Sequence, residues 1–244
     1  MPCDPDLASA LAYYARERLI DSYLGPLRPG KEAQIHCCLR PDGSPAILKH
    51  LTPITERGFR ADAAYGTGTT HVGSRDHRAL RAGSRYGQMC KQGLWTRNEF
   101  CNLRRLAEIG LRVPEVLGMT SSTVLTTMVG SPEAPAPQLR DAGITRSIAA
   151  RLCPAICADI ERLLAHDLVH ADLSPYNILW HDDQHWIIDT PQMVRASRST
   201  DAGELFARDC RAILGFLCRR GADIHPETWA NDTWERWRCG ELRP

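Results

Sequence analysis

Apolar residues recur at helical spacing in four parts of the chain, and the clearest case lies in its second half. From residue 145 to residue 165 the apolar positions form one stripe: Ile148, Leu152, Ile156, Ile160 and Leu163 or Leu164. Such a stripe predicts an amphipathic helix with one buried face. Similar patterns predict helices over 7–23, 95–109 and 205–219, and the second of these is followed by Gly110, a residue typical of the position after a last turn.

Short apolar runs bounded by turn residues predict strands. Residues 34–39 and 45–51 form two such runs, and the Pro41-Asp42-Gly43 turn between them predicts a β-hairpin. Shorter strands are predicted at 113–116, 123–129, 168–169, 178–180 and 186–188. Strands dominate the first half and helices the second, so we expect an α+β fold of two lobes, an N-terminal lobe over 1–130 and a C-terminal lobe over 131–244.

Residues 56–93 interrupt this pattern. They contain seven Lys or Arg against one Glu and two Asp, with few large apolar side chains. A segment of this length without periodicity indicates a solvated, flexible loop. The alternative interpretation is a basic surface for RNA, a ribosome or an acidic partner.

Composition narrows the class of protein. The net charge is +1, and no apolar run approaches the roughly 18 residues of a membrane span. The N-terminus combines acids with prolines and lacks the basic and apolar regions of a secretory signal. We therefore expect a cytoplasmic protein without membrane contact, whose ten cysteines are free thiols.

The strongest chemical motif is His170-x-Asp172 followed by Asn177, and then Asp189 after two isoleucines. The spacing H-x-D-x-x-x-x-N is that of a kinase catalytic loop. Asp172 is the candidate base that accepts or orients the proton of an attacking hydroxyl. Asn177 and Asp189 are candidate Mg²⁺ ligands, because this ion prefers oxygen donors. His170 is predicted to be structural.

A second pair of residues supports the same chemistry. Lys49 ends an apolar strand, as does the kinase lysine that contacts ATP phosphates. Glu99 lies at helical spacing from Trp95 and Leu103, on the apolar face of the 95–109 helix. A carboxylate on that face needs a partner, and Lys49 is the predicted one; the alternative is that Glu99 reaches solvent at the edge of the stripe.

Several segments together resemble the RIO family of atypical serine/threonine protein kinases, over residues 19 to 220. They are Gly30-Lys31-Glu32-Ala33, Glu99-Phe100-x-Asn102-Leu103-x-Arg105-Leu106, Pro135-Ala136-Pro137-x-Leu139, His170-Ala171-Asp172-Leu173-Ser174-x-Tyr176-Asn177, Ile187-Ile188-Asp189-x-x-Gln192 and Arg208-Asp209. The first two are the specific ones, since the catalytic loop alone fits several kinase-like families.

The resemblance implies a two-lobed kinase fold that binds ATP and Mg²⁺. It places Gly30 and Lys31 in the segment that approaches phosphate, and the main-chain groups of Thr127 and Val129 against adenine. It makes Asp189 the candidate for an aspartyl-phosphate intermediate. The chain departs from the family pattern at Arg28-Pro29, at Thr126-Thr127 and at Pro175.

The expected activity is therefore ATP-dependent phosphorylation of a protein or of the chain itself, with ATP hydrolysis as a related activity. Two alternatives stay open. One is a small-molecule phosphotransferase of the aminoglycoside or choline kinase type, which Pro175 favours. The other is an ATP-binding switch that acts on a ribonucleoprotein through residues 56–93.

Overall fold

The computed structural model describes residues 4–29, 33–51 and 85–244. These residues fall into two units. The first contains the described residues up to 104 together with Pro114–Pro135, and the second contains Arg105–Val113 and Ala136–Pro244. The division predicted after residue 130 stays a prediction; the two units differ from it at residues 105–113 and 131–135.

A five-stranded antiparallel sheet forms the centre of the first unit. In the order β1-β2-β3-β5-β4, its strands are β1 Ser22–Pro29, β2 Ala33–Leu39, β3 Pro45–Leu51, β5 Thr123–Thr127 and β4 Val116–Met119. The predicted hairpin joins β2 to β3, with Leu39 opposite Pro45. Gly43 at φ 79° occupies a left-handed turn position that glycine adopts without steric cost.

Helix α1 is shorter than predicted. It covers Pro5–Arg16 rather than 7–23, and the chain reverses at Arg18, whose φ of 55° is incompatible with a continuing helix. Strand β1 begins at Ser22, so Ser22 and Tyr23, which the apolar spacing assigned to the end of the helix, belong to the strand. The helix packs on the sheet through Tyr14, which is fully buried and hydrogen-bonded at 2.9 Å to the Thr123 hydroxyl.

Helix α2 is longer than predicted. It covers Arg85–Glu108 and ends before Gly110, which has the expected left-handed φ of 82°. Its start at Arg85 corrects the prediction that residues 85–93 belong to a loop; the glycines at 87 and 93 hid the helix from the periodicity argument. Residues 56–84 of the predicted basic loop lie outside the described residues.

The second unit is built on three helices and small strand pairs. The helices are α3 Arg146–Ala165, α4 Ala202–Arg219 and α5 Pro226–Arg238. Its strands form two pairs: β8 Leu168–Val169 with β11 Val194–Arg195, and β9 Ile178–His181 with β10 Gln184–Ile187. The two-residue strands β6 Gly130–Ser131 and β7 Ala134–Pro135 belong to the first unit, where they form a hairpin.

Helix α3 confirms the clearest sequence pattern. The side chain of Thr145 caps its first turn by accepting from the Ile148 N–H. The predicted stripe is buried from Leu152 to Leu164, and Ile148 at its start is half-buried. Helix α5, in contrast, was not predicted. It packs on α4 where Gly203 leaves room for the Trp234 ring, since a Cβ at Gly203 would lie only 3.3 Å from that ring.

None of the helices within 4–29, 33–51 and 85–244 is both long and apolar enough to cross a membrane.

Candidate active site

The first candidate cluster is an ion pair between β3 and α2. Lys49 Nζ lies 3.0 Å from Glu99 Oε2, with side-chain exposures of 19% and 6%. Glu99 is carried into this buried position by the helix face that also buries Trp95 and Leu103. The predicted pairing is thus present in the first unit, and it satisfies a carboxylate that would otherwise be costly to bury.

The second cluster is the loop that follows β8, in the second unit. His170 is 1% exposed, which fits its predicted structural role. Ala171 adopts a left-handed φ of 65°, a conformation that L-residues hold only when their surroundings fix it. The surroundings here are two consecutive residues of α4, Arg208 and Asp209.

Asp209 anchors the loop through hydrogen bonds to its backbone. Its carboxylate accepts the N–H of Ala171 at 2.7 Å and the N–H of Leu173 at 3.0 Å, so it holds the backbone on both sides of Asp172. Arg208 donates to the carbonyl of Ala171. Burial raises the pKa of Asp209 to about 8, against the opposing effect of these N–H donors and of Arg208.

Asp172 is held by two amide side chains. Asn177 Nδ2 donates to the Asp172 carbonyl at 2.8 Å and to its Oδ2 at 3.0 Å. Gln192 Nε2 lies 3.4 Å from the same Oδ2. Both amides converge on one carboxylate oxygen, so the orientation of the Asp172 side chain is fixed.

The negative charge of Asp189 affects the pKa of Asp172. Burial, followed by repulsion from Asp189, raises the pKa of Asp172, while Asn177, Arg208 and Gln192 lower it. The segments of the two predicted metal ligands lie side by side, because the Ile188 N–H donates to the Asn177 carbonyl at 3.0 Å. Asp189 itself has a φ of 63°, and strained backbone of this kind often occurs at functional sites.

These side chains fit a magnesium ion that is shared with phosphate. Because its Nδ2 faces Asp172, the Asn177 amide turns its oxygen away from that carboxylate. In the described part of the chain, no group of three or more His, Cys, Asp or Glu side chains forms a complete metal site. Mg²⁺ is usually held by one or two carboxylates together with substrate phosphates, so an incomplete protein cage is what this ion uses.

The predicted nucleotide-binding residues are only partly described. Gly30 and Lys31 lie outside the described residues, and their predicted roles stay predictions. Thr127 ends β5, and its N–H donates to the Glu115 carbonyl at 2.9 Å, so this group is already used within the sheet. Val129 directly precedes β6 and is 7% exposed.

Sequence reasoning assigned no role to Asp209 or Gln192, although both belong to the segments quoted for the RIO resemblance. A signal for Asp209 was available, since it lies three residues after Phe206 and four before Ile213, on the buried face of α4. Like Glu99, Asp209 is a carboxylate on an apolar helix face and is therefore expected to be paired. Gln192 lies in a loop and carries no comparable signal.

The sheet with its lysine–glutamate pair and the helical unit with its His-x-Asp loop define a protein-kinase-like protein. Among solved structures, the chain is similar to the Rio2 kinase-ADP/Mg²⁺-phosphoaspartate complex from Chaetomium thermophilum, with a TM-score of 0.70 and 25% identity over 93% of this chain and 64% of that one. The streptomycin-ATP-APH(2")-IIa ternary complex, at 10% identity and a TM-score of 0.51 over 98% of this chain and 93% of that one, shares the fold alone. The predicted kinase-like α+β fold is confirmed.

The family model described as RIO domain matches residues 54–229, and the chain belongs to this family. The RIO-type serine/threonine-protein kinase Rio1 of Haloferax volcanii is 31% identical over 204 residues, which cover 84% of this chain and 66% of the relative. The serine/threonine-protein kinase RIO1 of Caenorhabditis elegans is 30% identical over 207 residues, 82% of this chain and 38% of the relative. The chain therefore spans about two thirds of the first relative and less than half of the second.

Proposed function

We propose that this protein is an ATP- and Mg²⁺-dependent serine/threonine protein kinase of the RIO type, which phosphorylates a protein or itself. The observation that carries the proposal is the fixed carboxylate of Asp172, held by Asn177 and Gln192 and anchored through its neighbours by Asp209. The names of the relatives support this proposal over a small-molecule phosphotransferase. Kinase chemistry and the free thiols of the described cysteines fit a cytoplasmic location.

In this proposal Lys49 contacts the phosphates of ATP. Its ammonium group neutralises negative charge that shifts during phosphoryl transfer, and Glu99 keeps the ammonium in place through their 3.0 Å contact. Gly30 and Lys31 contribute from the segment before β2, and the main chain at Thr127 and Val129 contacts adenine.

Asn177 and Asp189 hold the metal ion through their side-chain oxygens. A bound Mg²⁺ would supply positive charge that neutralises the phosphates of the nucleotide. The Ile188 N–H donates to the Asn177 carbonyl, so the backbone segments of the two candidate ligands are held side by side.

Asp172 receives the proton of the acceptor. The acceptor hydroxyl oxygen forms a bond to the γ-phosphorus, the bond from that phosphorus to the β–γ bridging oxygen breaks, and ADP leaves. Asn177 and Gln192 donate to Oδ2, which leaves Oδ1 of Asp172 for the hydroxyl proton. The raised pKa of Asp172 makes it a better proton acceptor than a solvent-exposed aspartate.

A phosphoaspartate on Asp189 is part of the proposal. The Rio2 structure to which the chain is similar is a complex with ADP, Mg²⁺ and phosphoaspartate. If Asp189 is the acceptor, one of its carboxylate oxygens attacks the γ-phosphorus, ADP leaves, and water later hydrolyses the acyl phosphate. Overall this amounts to ATP hydrolysis.

The test is incubation with ATP labelled at the γ-phosphate, with Mg²⁺, followed by analysis of the labelled products. We expect label on the protein or on an added protein substrate. Hydroxylamine should release the fraction held as acyl phosphate, while phosphoserine and phosphothreonine resist it. Asp172→Asn should abolish hydroxyl phosphorylation and keep ATP binding.

The matched control is Asp223→Asn, which makes the same change at an exposed position after α4. Label transferred only to an added small molecule would replace the protein kinase proposal by the alternative phosphotransferase. Hydroxyl phosphorylation at the wild-type rate in Asp172→Asn would remove Asp172 from the role of base.

A further inference from the structure

The β4–β5 ladder ends in an irregular contact at Thr127. The Thr127 N–H donates to the Glu115 carbonyl at 2.9 Å. In a regular antiparallel pair the Glu115 N–H would donate back to the Thr127 carbonyl. Here it donates instead to the Thr127 hydroxyl, Oγ1, at 3.0 Å.

Because the Glu115 N–H donates to the hydroxyl, it does not donate to the Thr127 carbonyl. The hydroxyl takes the donor, so both the N–H and the side chain of Thr127 are tied to Glu115 while the carbonyl oxygen keeps its accepting capacity. The next peptide is fixed as well, because the Met128 N–H donates to the Pro45 carbonyl at 3.2 Å.

Two residues further on, the main chain offers a donor. Within the described ranges no group accepts a hydrogen bond from the Val129 N–H. The segment therefore presents one acceptor, the Thr127 carbonyl, and one donor, the Val129 N–H, on peptides whose neighbours are held by the sheet.

We propose that the Thr127 hydroxyl is a positioning and specificity-determining group for the purine base of the nucleotide. This inference rests on the proposed function, in which the same two main-chain groups contact adenine. Adenine offers a 6-amino donor beside the N1 acceptor, and it complements an acceptor followed by a donor. A 6-oxopurine offers an acceptor beside an N1–H donor, so it opposes both groups.

The physical reason is competition for one carbonyl. Without the hydroxyl, the Glu115 N–H turns to the Thr127 carbonyl, as in an ordinary ladder. The carbonyl is then shared, its bond to the 6-amino group weakens, and the discrimination against 6-oxopurines falls. Thr127→Val keeps the β-branched shape and removes the hydroxyl, whereas Thr127→Ser keeps the hydroxyl.

The experiment measures the affinities of the wild-type chain and its variants for ADP and for inosine diphosphate, both with Mg²⁺, by calorimetry. We expect Thr127→Val to lose roughly three- to tenfold in ADP affinity, the size of one neutral hydrogen bond. Its affinity for inosine diphosphate should change less, so the preference for ADP narrows. Thr127→Ser should retain the wild-type preference.

Thr228→Val provides the matched control, because it makes the same change at an exposed position of α5. If circular dichroism shows that Thr127→Val does not fold, Thr127→Ala tests the same loss of the hydroxyl. An unchanged ADP affinity and an unchanged ADP preference in the Val variant would overturn this inference alone. A wild-type chain that binds neither nucleotide would overturn the proposed function together with it.

Discussion

Replacement of Asp209 should uncouple the catalytic loop from helix α4. In the wild type the carboxylate accepts the N–H groups of Ala171 and Leu173, at 2.7 Å and 3.0 Å, and all three residues are buried. Asp209→Ala removes the acceptor from both donors. Each buried N–H left without a partner costs about 1–3 kcal/mol, so the expected loss of stability is about 2–6 kcal/mol.

Asp209→Asn should remove one of the two hydrogen bonds and keep the other. The amide keeps one oxygen, which accepts from one of the two N–H groups, while its NH₂ faces the other. The expected loss is about half that of the alanine variant, about 1–3 kcal/mol. Against a typical domain stability of about 5–15 kcal/mol, both losses are measurable by urea denaturation.

The loss should also depend on pH. The pKa of Asp209 in the folded chain is raised to about 8, above its value of about 3.9 in an unfolded chain. A raised pKa means that the folded state binds the proton more tightly. The stabilising contribution is therefore complete below about pH 4 and is lost as the pH rises towards 8. The difference in the free energy of unfolding between the wild type and Asp209→Ala should thus be larger at pH 5 than at pH 8.

Activity should fall with stability, because Asp172 lies between the two anchored residues. A displacement of about 1 Å can cost roughly a hundredfold in rate. Glu204→Gln, which removes a charge from an exposed position of the same helix, is the control. An Asp209→Ala variant with the stability and phosphoryl transfer of the wild type would refute the anchoring argument.

Three further predictions concern the other contacts. Gln192→Leu removes a donor that lowers the pKa of Asp172, so the acidic limb of the kcat/KM profile should move to higher pH; an unmoved limb would exclude this contact. Tyr14→Phe should lower the free energy of unfolding, measured by urea denaturation, by about 0.5–1.5 kcal/mol, because it removes the buried hydrogen bond to Thr123. In a pH titration of the wild type, Tyr14 should still be neutral at pH 11, since burial raises its pKa to about 12. Lys49→Met should lower kcat/KM for ATP roughly a hundredfold or more while circular dichroism stays that of the wild type; unchanged steady-state kinetics would separate Lys49 from phosphate binding.

The parts of the fold that the sequence predicted have strong local patterns. Helix α3 combines a full apolar stripe with a capping threonine, and the β2–β3 hairpin combines two apolar runs with a Pro-Asp-Gly turn. In both, local propensity and tertiary burial agree, so the bounds of β3 match the prediction.

The secondary-structure predictions were wrong where tertiary packing determines whether a segment forms a helix or a strand. The spacing of Leu19 and Tyr23 continued the pattern of α1, but β1 pairs with β2, and strand pairing is not visible in the periodicity of one segment. Helix α5 has polar residues between its tryptophans and is held by contact with α4, which a single-segment pattern does not contain.

The candidate site was predictable where charge meets an apolar context. The Lys49–Glu99 pair followed from the cost of burying a carboxylate, and the catalytic loop from its motif. The burial of Asp209 was predictable in the same way, from its place on the apolar face of α4, but its partners, the N–H groups of Ala171 and Leu173, were not. Gln192 lies in a loop, where no apolar pattern indicates its contact with Asp172.

Strand β1 has a consequence for how this protein behaves at high concentration. It lies at one margin of the described sheet, where unused backbone groups could recruit a strand from another molecule. Pro26 and Pro29 have no N–H to offer, and the register of β1 shifts twice along its length. Irregular, proline-containing margins discourage such self-association, so the exposed Leu24 and Leu27 side chains are carried on a strand that is poorly suited to fibre-like stacking.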